Sequence, residues 1–232
     1  KRWRLGEIPN RKGKAASDEG PAESTAKLAA FPSRFHVTNV PRSAYLILPR
    51  HSGENRQYIP IGFVPASTLA GDACLISSDA TLYHFGVLTS AMHNAWVRYT
   101  CGRLTSRFRY SAKIVYNNFP WPTPSRAAAM RIEKAAQAVL DERERYLSEG
   151  QSLKDIYDAE VMPDGLRKTH RALDRAVDAA YTKRGDMTDG DRVKFLFALW
   201  KEKIQASAPD LDVVDKISAP RKVGRRAASR RA

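Results

Sequence analysis

The spacing of hydrophobic and polar positions changes repeatedly along this chain, and each change predicts a different kind of element. Residues 1–25 mix Gly, Pro, Ser, Lys and Glu without periodicity and read as an irregular linker, with Trp3, Leu5 and Ile8 available to dock elsewhere. From 34 to 83 short apolar runs alternate with turn residues. Tyr45 to Pro49 is one run, 50–56 is a polar turn, 57–63 is a second run and 73–76 a third. Pro41, Pro49, Pro60 and Pro65 put these strands at sheet edges or starts, because proline cannot donate to a ladder. Phe85, Leu88, Met92 and Trp96 then recur at helical spacing, which predicts one helix from about Leu82 to Tyr99 with a stop at Gly102. His93 lies beside that stripe and is read as a packed side chain rather than a ligand.

After Gly102 the period becomes two. Over 103–114 the odd positions are Arg103, Thr105, Arg107, Arg109, Ser111 and Lys113, and the even ones are Leu104, Ser106, Phe108, Tyr110, Ala112 and Ile114. A strand sends alternate side chains to opposite faces, so this predicts one strand with a basic, hydroxyl-bearing face and a mostly apolar one. Helical spacing returns at Thr123. Thr123 or Ser125 caps a helix carrying Ile132, Ala136, Val139, Leu140 and Leu147, and Ser152 opens a short turn of helix through Tyr157. A further helix from Asp164 shows Leu166, Leu173, Val177 and Tyr181 on one side. Thr188 with Asp191 caps a last one with a stripe of Val193, Leu196, Phe197, Trp200 and Ile204. The pattern is α+β: an irregular stretch (1–25), a strand-rich domain (26–122), a small helical C-terminal domain (123–206) and a basic tail (207–232).

Composition sharpens this. At 43% hydrophobic residues the chain can build an ordinary core, and no apolar run is long enough to span a membrane. No secretory signal is visible after Lys1, and the start at Lys1 rather than Met suggests a piece of a longer protein. Two cysteines, Cys74 and Cys101, match no metal pattern and suggest a reducing, cytoplasmic setting. The formal net charge of +14 points to a polyanion without saying which. Its distribution says more. Residues 26–124 hold 10 basic and 3 acidic side chains, whereas the helical part, 125–206, holds 16 and 15. Between Asp79 and Glu133 there is no acid at all, and the basic face of 103–113 lies inside that interval.

Catalytic signatures are missing from the sequence. There is no GxxxxGK[ST] or GxGxxG phosphate loop, no HExxH, no GxSxG, no clustering of the five histidines and no Glu-x-Lys. The segment from Tyr116 to Pro122 superficially suggests the Asn-Pro-Pro-Tyr loop of adenine methyltransferases, but Asn118 is followed by Phe119 and the prolines are split by Trp121. No catalytic, cofactor-binding or metal residue is assigned. The candidate binding residues are Arg103, Thr105, Arg107, Arg109, Ser111 and Lys113. One reading of them is a sheet edge protected by charge. The other is a DNA-reading strand, with arginine forks on guanine and Ser, Thr or Lys on phosphates or base edges, and the acid-free interval favours it.

The runs 55–63 (NRQYIPIGF) and 85–98 (FGVLTSAMHNAWVR), Gly102-Arg103-Leu104, Arg109-Tyr110-Ser111 and 115–122 (VYNNFPWP) together resemble the target-recognition region of MmeI-like (Type IIL) restriction–modification enzymes. The helical part is similar as well, through 153–158 (LKDIYD), Met162-Pro163 and 170–178 (HRALDRAVD). The resemblance implies a strand-rich double-stranded-DNA target-recognition domain followed by a helical C-terminal domain. It also implies an S-adenosylmethionine-dependent, class I adenine-N6 DNA methyltransferase whose catalytic domain lies upstream in the same chain, in a restriction–modification or phage-defence system of the bacterial cytoplasm, associated with the nucleoid. Carried over by position, the family's specificity positions after the Gly-Arg-Leu turn are Thr105, Arg107 and Arg109, the family often having an acidic or longer polar residue where Thr105 stands. The rival from another class is a free-standing nucleic-acid-binding or adaptor module with no enzymatic parent.

Overall fold

Among the described residues six short strands pair into two antiparallel sheets, and one residue serves both. The computed structural model describes residues 41–182 and 187–207, together with Ala29, so the linker of 1–25 and the basic tail after 207 lie outside the described residues. Strands β1 (Tyr45–Pro49), β3 (Gly62–Val64) and β4 (Cys74–Ser77) form one sheet in the order β3-β1-β4. Strands β2 (His51–Ser52), β5 (Gly102–Leu104) and β6 (Arg107–Arg109) form the other in the order β2-β6-β5. Between β1 and β2, the Arg50 N–H donates to Ala73 O (2.9 Å) beside the first sheet, and its carbonyl accepts from Tyr110 N (2.8 Å) beside the second.

Two strand expectations are corrected here. Residues 50–56 are not wholly a turn, because His51 and Ser52 pair with Arg109 and Phe108. Of 57–63 only the end is strand. Pro60 has no N–H, Ile59 N donates to the Asn94 side-chain oxygen (3.0 Å) and Ile61 N to Ile59 O (2.9 Å), so the segment's donors are used up away from any ladder. Tyr58, Ile59 and Ile61 are buried all the same.

The predicted helix of 82–99 is two, α1 (Leu82–Thr89) and α2 (Ala91–Thr100), broken at an extended Ser90 (φ −70°, ψ 161°). Side chains bridge the break, although the buried Thr89 hydroxyl has no partner among the described residues. Ser90 Oγ donates to Val87 O (2.7 Å), and Asn94 Nδ2 donates to Thr89 O (3.2 Å) and Ser90 O (2.8 Å). The free N–H of Ala91, first residue of α2, donates to a carboxylate oxygen of Asp174 (2.7 Å). Because the break costs little helical phase, Phe85, Leu88, Met92 and Trp96 all remain buried.

The later helices follow their sequence signals. Ser125 caps α3 (Arg126–Leu147), accepting from Ala128 N at 3.3 Å. Ser152 with Asp155 caps the short α4 (Leu153–Ile156), and Thr188 with Asp191 does the same before α6 (Asp189–Ser207). Helix α5 (Asp164–Tyr181) buries Leu166, Leu173 and Val177 completely. The stripe of α6 is only half realised: Val193 and Leu196 are buried, but Phe197 and Ile204 are exposed.

A continuous apolar core runs from Leu46 through Trp96, Ile132 and Leu173 to Leu196, so strands and helices share one interior across residue 123. Two of its helices approach closely at Gly86 of α1. A Cβ there would sit 2.7 Å from Ile132 Cγ2 and 3.2 Å from Ala136 Cβ on α3. The 116–122 segment is stitched into this core. Phe119, Trp121 and Tyr116 stack in T-shaped pairs, while Tyr181 and Tyr83 donate to Pro120 O (2.9 Å) and Pro122 O (3.3 Å). Its role in the fold is packing.

Within the core lies a polar chain. Asp174 accepts from Ala91 N and from the Tyr58 hydroxyl (2.7 Å), and Tyr58 stacks on His170 (centroids 4.0 Å apart). The Tyr157 hydroxyl sits between His170 Nε2 and Arg143 Nε, and Arg143 Nη1 donates to Ile61 O (2.6 Å). Burial holds the Asp174 carboxyl up at about 6 against an ordinary 3.8, only partly opposed by its hydrogen bonds. Burial likewise keeps His170 neutral, its pKa well below the usual value.

Two outcomes follow from this packing. Asp174→Ala strands two buried donors and should cost about 2–4 kcal/mol in urea unfolding, whereas Asp174→Asn, which keeps an acceptor for Ala91, should cost less. Since the folded state holds the Asp174 proton more tightly than the unfolded chain, its contribution is largest below about pH 4 and is lost as pH rises to about 6. The stability gap between wild type and Asp174→Asn should therefore shrink by an amount on the order of 3 kcal/mol over that window; a gap that stays constant with pH would contradict it. Gly86→Ala should lower stability by about 1–3 kcal/mol through overpacking against α3, read as a drop in urea midpoint.

Candidate nucleic-acid interface

The basic segment of 103–113 is a hairpin followed by a π-helical turn, not one strand. Strands β5 and β6 pair with Gly102 opposite Arg109, Arg103 opposite Phe108 and Leu104 opposite Arg107. Thr105 and Ser106 form the turn between them, and Thr105 has left-handed backbone (φ 55°). Nothing in the sequence marks that turn, because glycine or asparagine is the usual residue at such a position. After β6 the chain coils into a π-helical turn over Ala112–Tyr116, closed by Asn117 N donating to Ala112 O (2.9 Å).

Antiparallel partners share a face, so the register decides which candidate residues lie together. Arg107 and Arg109 project from the outer face of β6 and are exposed. Neither makes an ion pair or side-chain hydrogen bond with another described residue. Arg103 is on the opposite face, which corrects the expectation of a common basic side. Its guanidinium lies over the Phe108 ring (4.2 Å) and donates to Ser106 O (3.1 Å) and Arg98 O (3.3 Å), so it braces the hairpin. Thr105 is at the exposed tip. Ser111 and Lys113 lie beyond β6, in and before the π-helical turn, and are not part of a strand face. The apolar face holds only within and just after β6: Phe108 and Tyr110 are buried, but Leu104 and Ile114 are exposed.

The hairpin is anchored from behind by α2. Trp96 Nε1 donates to Val115 O (3.0 Å), and the Tyr110 hydroxyl lies 2.9 Å from His93 Nε2. Complete burial pulls the His93 pKa down to about 3, so it is a neutral packing partner here rather than a ligand or a charge. Beside the hairpin, a groove of about 710 Å³ runs between the 51–56 loop, Ser106 and Arg107, and the 154–160 segment. It mixes Arg56, Arg107 and Lys154 with Glu54, Asp158 and Glu160, and apart from His51 it contains no ring to sandwich a nucleobase. Its lining therefore offers little aromatic surface on which an adenine ring could stack. Among the described residues no three His, Cys, Asp or Glu side chains converge as metal ligands, and no helix is long and apolar enough to cross a membrane.

Sequence reasoning missed two neighbours of the arginines. His51, read as part of a turn, lies on the outer face opposite Arg109, and Leu104, read as core-facing, lies opposite Arg107. No local signal marked either: the reversal at Thr105 turns Leu104 outward, and the pairing of the two-residue β2 with β6 places His51.

Known proteins with this arrangement were found by sequence and by structure. The family described as MmeI, target recognition domain, matches residues 10–123, and the family described as MmeI, C-terminal domain, matches residues 125–207. DNA methyltransferase A of Bacillus subtilis (strain 168) is 36% identical over 180 residues, which cover 78% of this chain and 20% of that protein. The Type IIL restriction–modification enzyme MmeI, solved in complex with DNA, is 41% identical with a TM-score of 0.76, over 81% of this chain and 25% of its own. This chain thus spans a fifth to a quarter of the relatives it matches.

The strained turn makes a direct prediction. Thr105→Asn places a residue tolerant of left-handed backbone at the tip and should raise stability by about 1 kcal/mol, seen as a higher urea midpoint. An unchanged or lower midpoint would show that the tip is not strained.

Proposed function

The chain belongs to the MmeI family, carrying its target recognition domain and then its C-terminal domain, and from this we propose that it recognises a specific double-stranded DNA sequence on behalf of an adenine-N6 DNA methyltransferase. The observation that carries the reading is the pair Arg107 and Arg109, exposed on one face of a hairpin whose other face is fastened to the core. A two-stranded ribbon fits the major groove, and an arginine fork can hold guanine O6 and N7 together. Thr105 at the tip and Lys113 beyond β6 are suited to phosphate or base-edge contacts, with Ser111 beside them. Arg103 contributes by keeping the hairpin in shape. The basic residues after 207 supply further phosphate contacts.

In this reading the helical part braces the hairpin, and a catalytic domain upstream in the same chain receives the flipped adenine. S-adenosylmethionine supplies the methyl group in that upstream domain, and no described residue set in this chain fits it. The chain works in the bacterial cytoplasm at the nucleoid, where its DNA is. The matches to a DNA methyltransferase and to a restriction–modification enzyme favour this reading over a free-standing nucleic-acid-binding or adaptor module.

Methylome sequencing of cells expressing the intact protein tests it. Arg107→Ala and Arg109→Ala should each relax the preference at one base pair of the methylated site, by roughly 5- to 150-fold in discrimination. A site logo identical to wild type in both variants would rule the reading out.

A further inference from the structure

The three-stranded sheet β2-β6-β5 gives each outward arginine its own cross-strand neighbour. On β6 the outer positions are Arg107 and Arg109, two residues and so about 7 Å apart. Arg109 has Gly102 on one side and His51 on the other. A Cβ at Gly102 would meet only ordinary contacts, the nearest being Arg109 O at 3.9 Å, so the fold itself does not call for a glycine there. Its bareness leaves His51 as the one cross-strand side chain beside Arg109. Arg107 has Leu104 directly opposite. His51 is exposed and makes no side-chain hydrogen bond with another described residue, and Leu104 is 51% exposed. An exposed leucine is unremarkable by itself, but this one stands in register with an unpaired arginine on the outermost face of the hairpin. Directly opposed side chains lie about 5 Å apart at Cβ, close enough to meet the same base pair.

Resting on the recognition reading above, we propose that His51 and Leu104 are further specificity-determining residues, which read DNA as two cross-strand pairs: His51 with Arg109, and Leu104 with Arg107. An imidazole offers one donor and one acceptor in its neutral form, and so complements an arginine that only donates. It can accept from an exocyclic amine on the same base pair whose guanine Arg109 holds. Leu104 offers an apolar surface, a contact that a donating arginine does not supply, to the C5 edge of the pyrimidine in the base pair that Arg107 meets. The two pairs address different base pairs, because they are set two residues apart along β6.

The test uses the intact protein and a duplex library randomised across the recognition site, scored by methylation and by equilibrium binding. The variants are His51→Ala, His51→Gln, Leu104→Ala, Arg107→Ala, Arg109→Ala and the double variant His51→Ala/Arg109→Ala, with melting temperatures measured for each. His51→Ala should relax the preference at the base pair relaxed by Arg109→Ala, by about five- to tenfold, and the double variant should be no less selective there than Arg109→Ala alone. His51→Gln, which keeps a donor and an acceptor, should retain more selectivity than His51→Ala. Leu104→Ala should relax the preference at the base pair relaxed by Arg107→Ala, and by less than Arg107→Ala does. If Arg109→Ala changes the profile and His51→Ala does not, His51 is excluded and the recognition face stands. Effects of His51→Ala and Arg109→Ala at different base pairs would overturn the pairing. Profiles unchanged in every variant would remove the recognition reading itself.

Discussion

One buried carboxylate ties the halves of this interior together. Asp174, on α5, is nearly out of solvent and would be costly there alone. Two short hydrogen bonds offset the cost, one from the N–H that opens α2 and one from the Tyr58 hydroxyl. The first fixes where α2 begins. The second holds the 57–61 segment, which has almost no ladder of its own, against the helices. From that point the geometry runs outward through α2: Trp96 grips Val115, His93 meets Tyr110, and the hairpin between Arg103 and Tyr110 is held where these two contacts allow. The orientation of the exposed arginines thus descends from a contact made by the C-terminal helices.

A second buried charge is handled differently. Arg143 on α3 is 2% exposed and has no carboxylate partner among the described residues. Its hydrogen bonds go to the Ile61 carbonyl and the Tyr157 hydroxyl, and its guanidinium faces the rings of Phe85 and Tyr157 at 5.0 and 4.7 Å. Arginine tolerates such a site because its charge is delocalised and its face stacks on aromatics. Asp178 and Arg192 form a more conventional pair, bidentate at 3.1 and 2.7 Å, where α5 meets α6. Ionic and polar ties therefore bind the helices to one another and to the strand region, while Arg107 and Arg109 make no ion pair with another described residue.

Where a local signal exists, the sequence predicts the structure. Ser125, Ser152 and Thr188 announce their helices because a cap is made within three residues, and Leu166, Leu173 and Val177 announce their face because helical spacing is local. The break at Ser90 was hidden because the partner of the next N–H, Ala91, is Asp174, 83 positions away. The hairpin was hidden because Thr105 adopts a backbone that threonine seldom takes, and period-two alternation reads alike on either side of a turn. The error had a definite effect on the candidate interface. Alternation assigned Arg103 to the face of Arg107 and Arg109, whereas folding back at Thr105 moved it to the other side and brought Leu104 out in its place. His51 was unreadable for a similar reason, since a two-residue strand leaves no period to detect.

The alternation along β6 divides labour residue by residue. Phe108 and Tyr110 are buried and coupled to the core, whereas Arg107 and Arg109 touch little of it. Substitutions at the outward positions are nearly neutral for folding, while their immediate neighbours in sequence are tightly constrained. Such a surface can diversify without first acquiring a reserve of stability, and a lineage can drift from one outward side-chain set to another through folded intermediates at every step. A short stretch of chain with this architecture can change its outward side chains on a scaffold that stays the same.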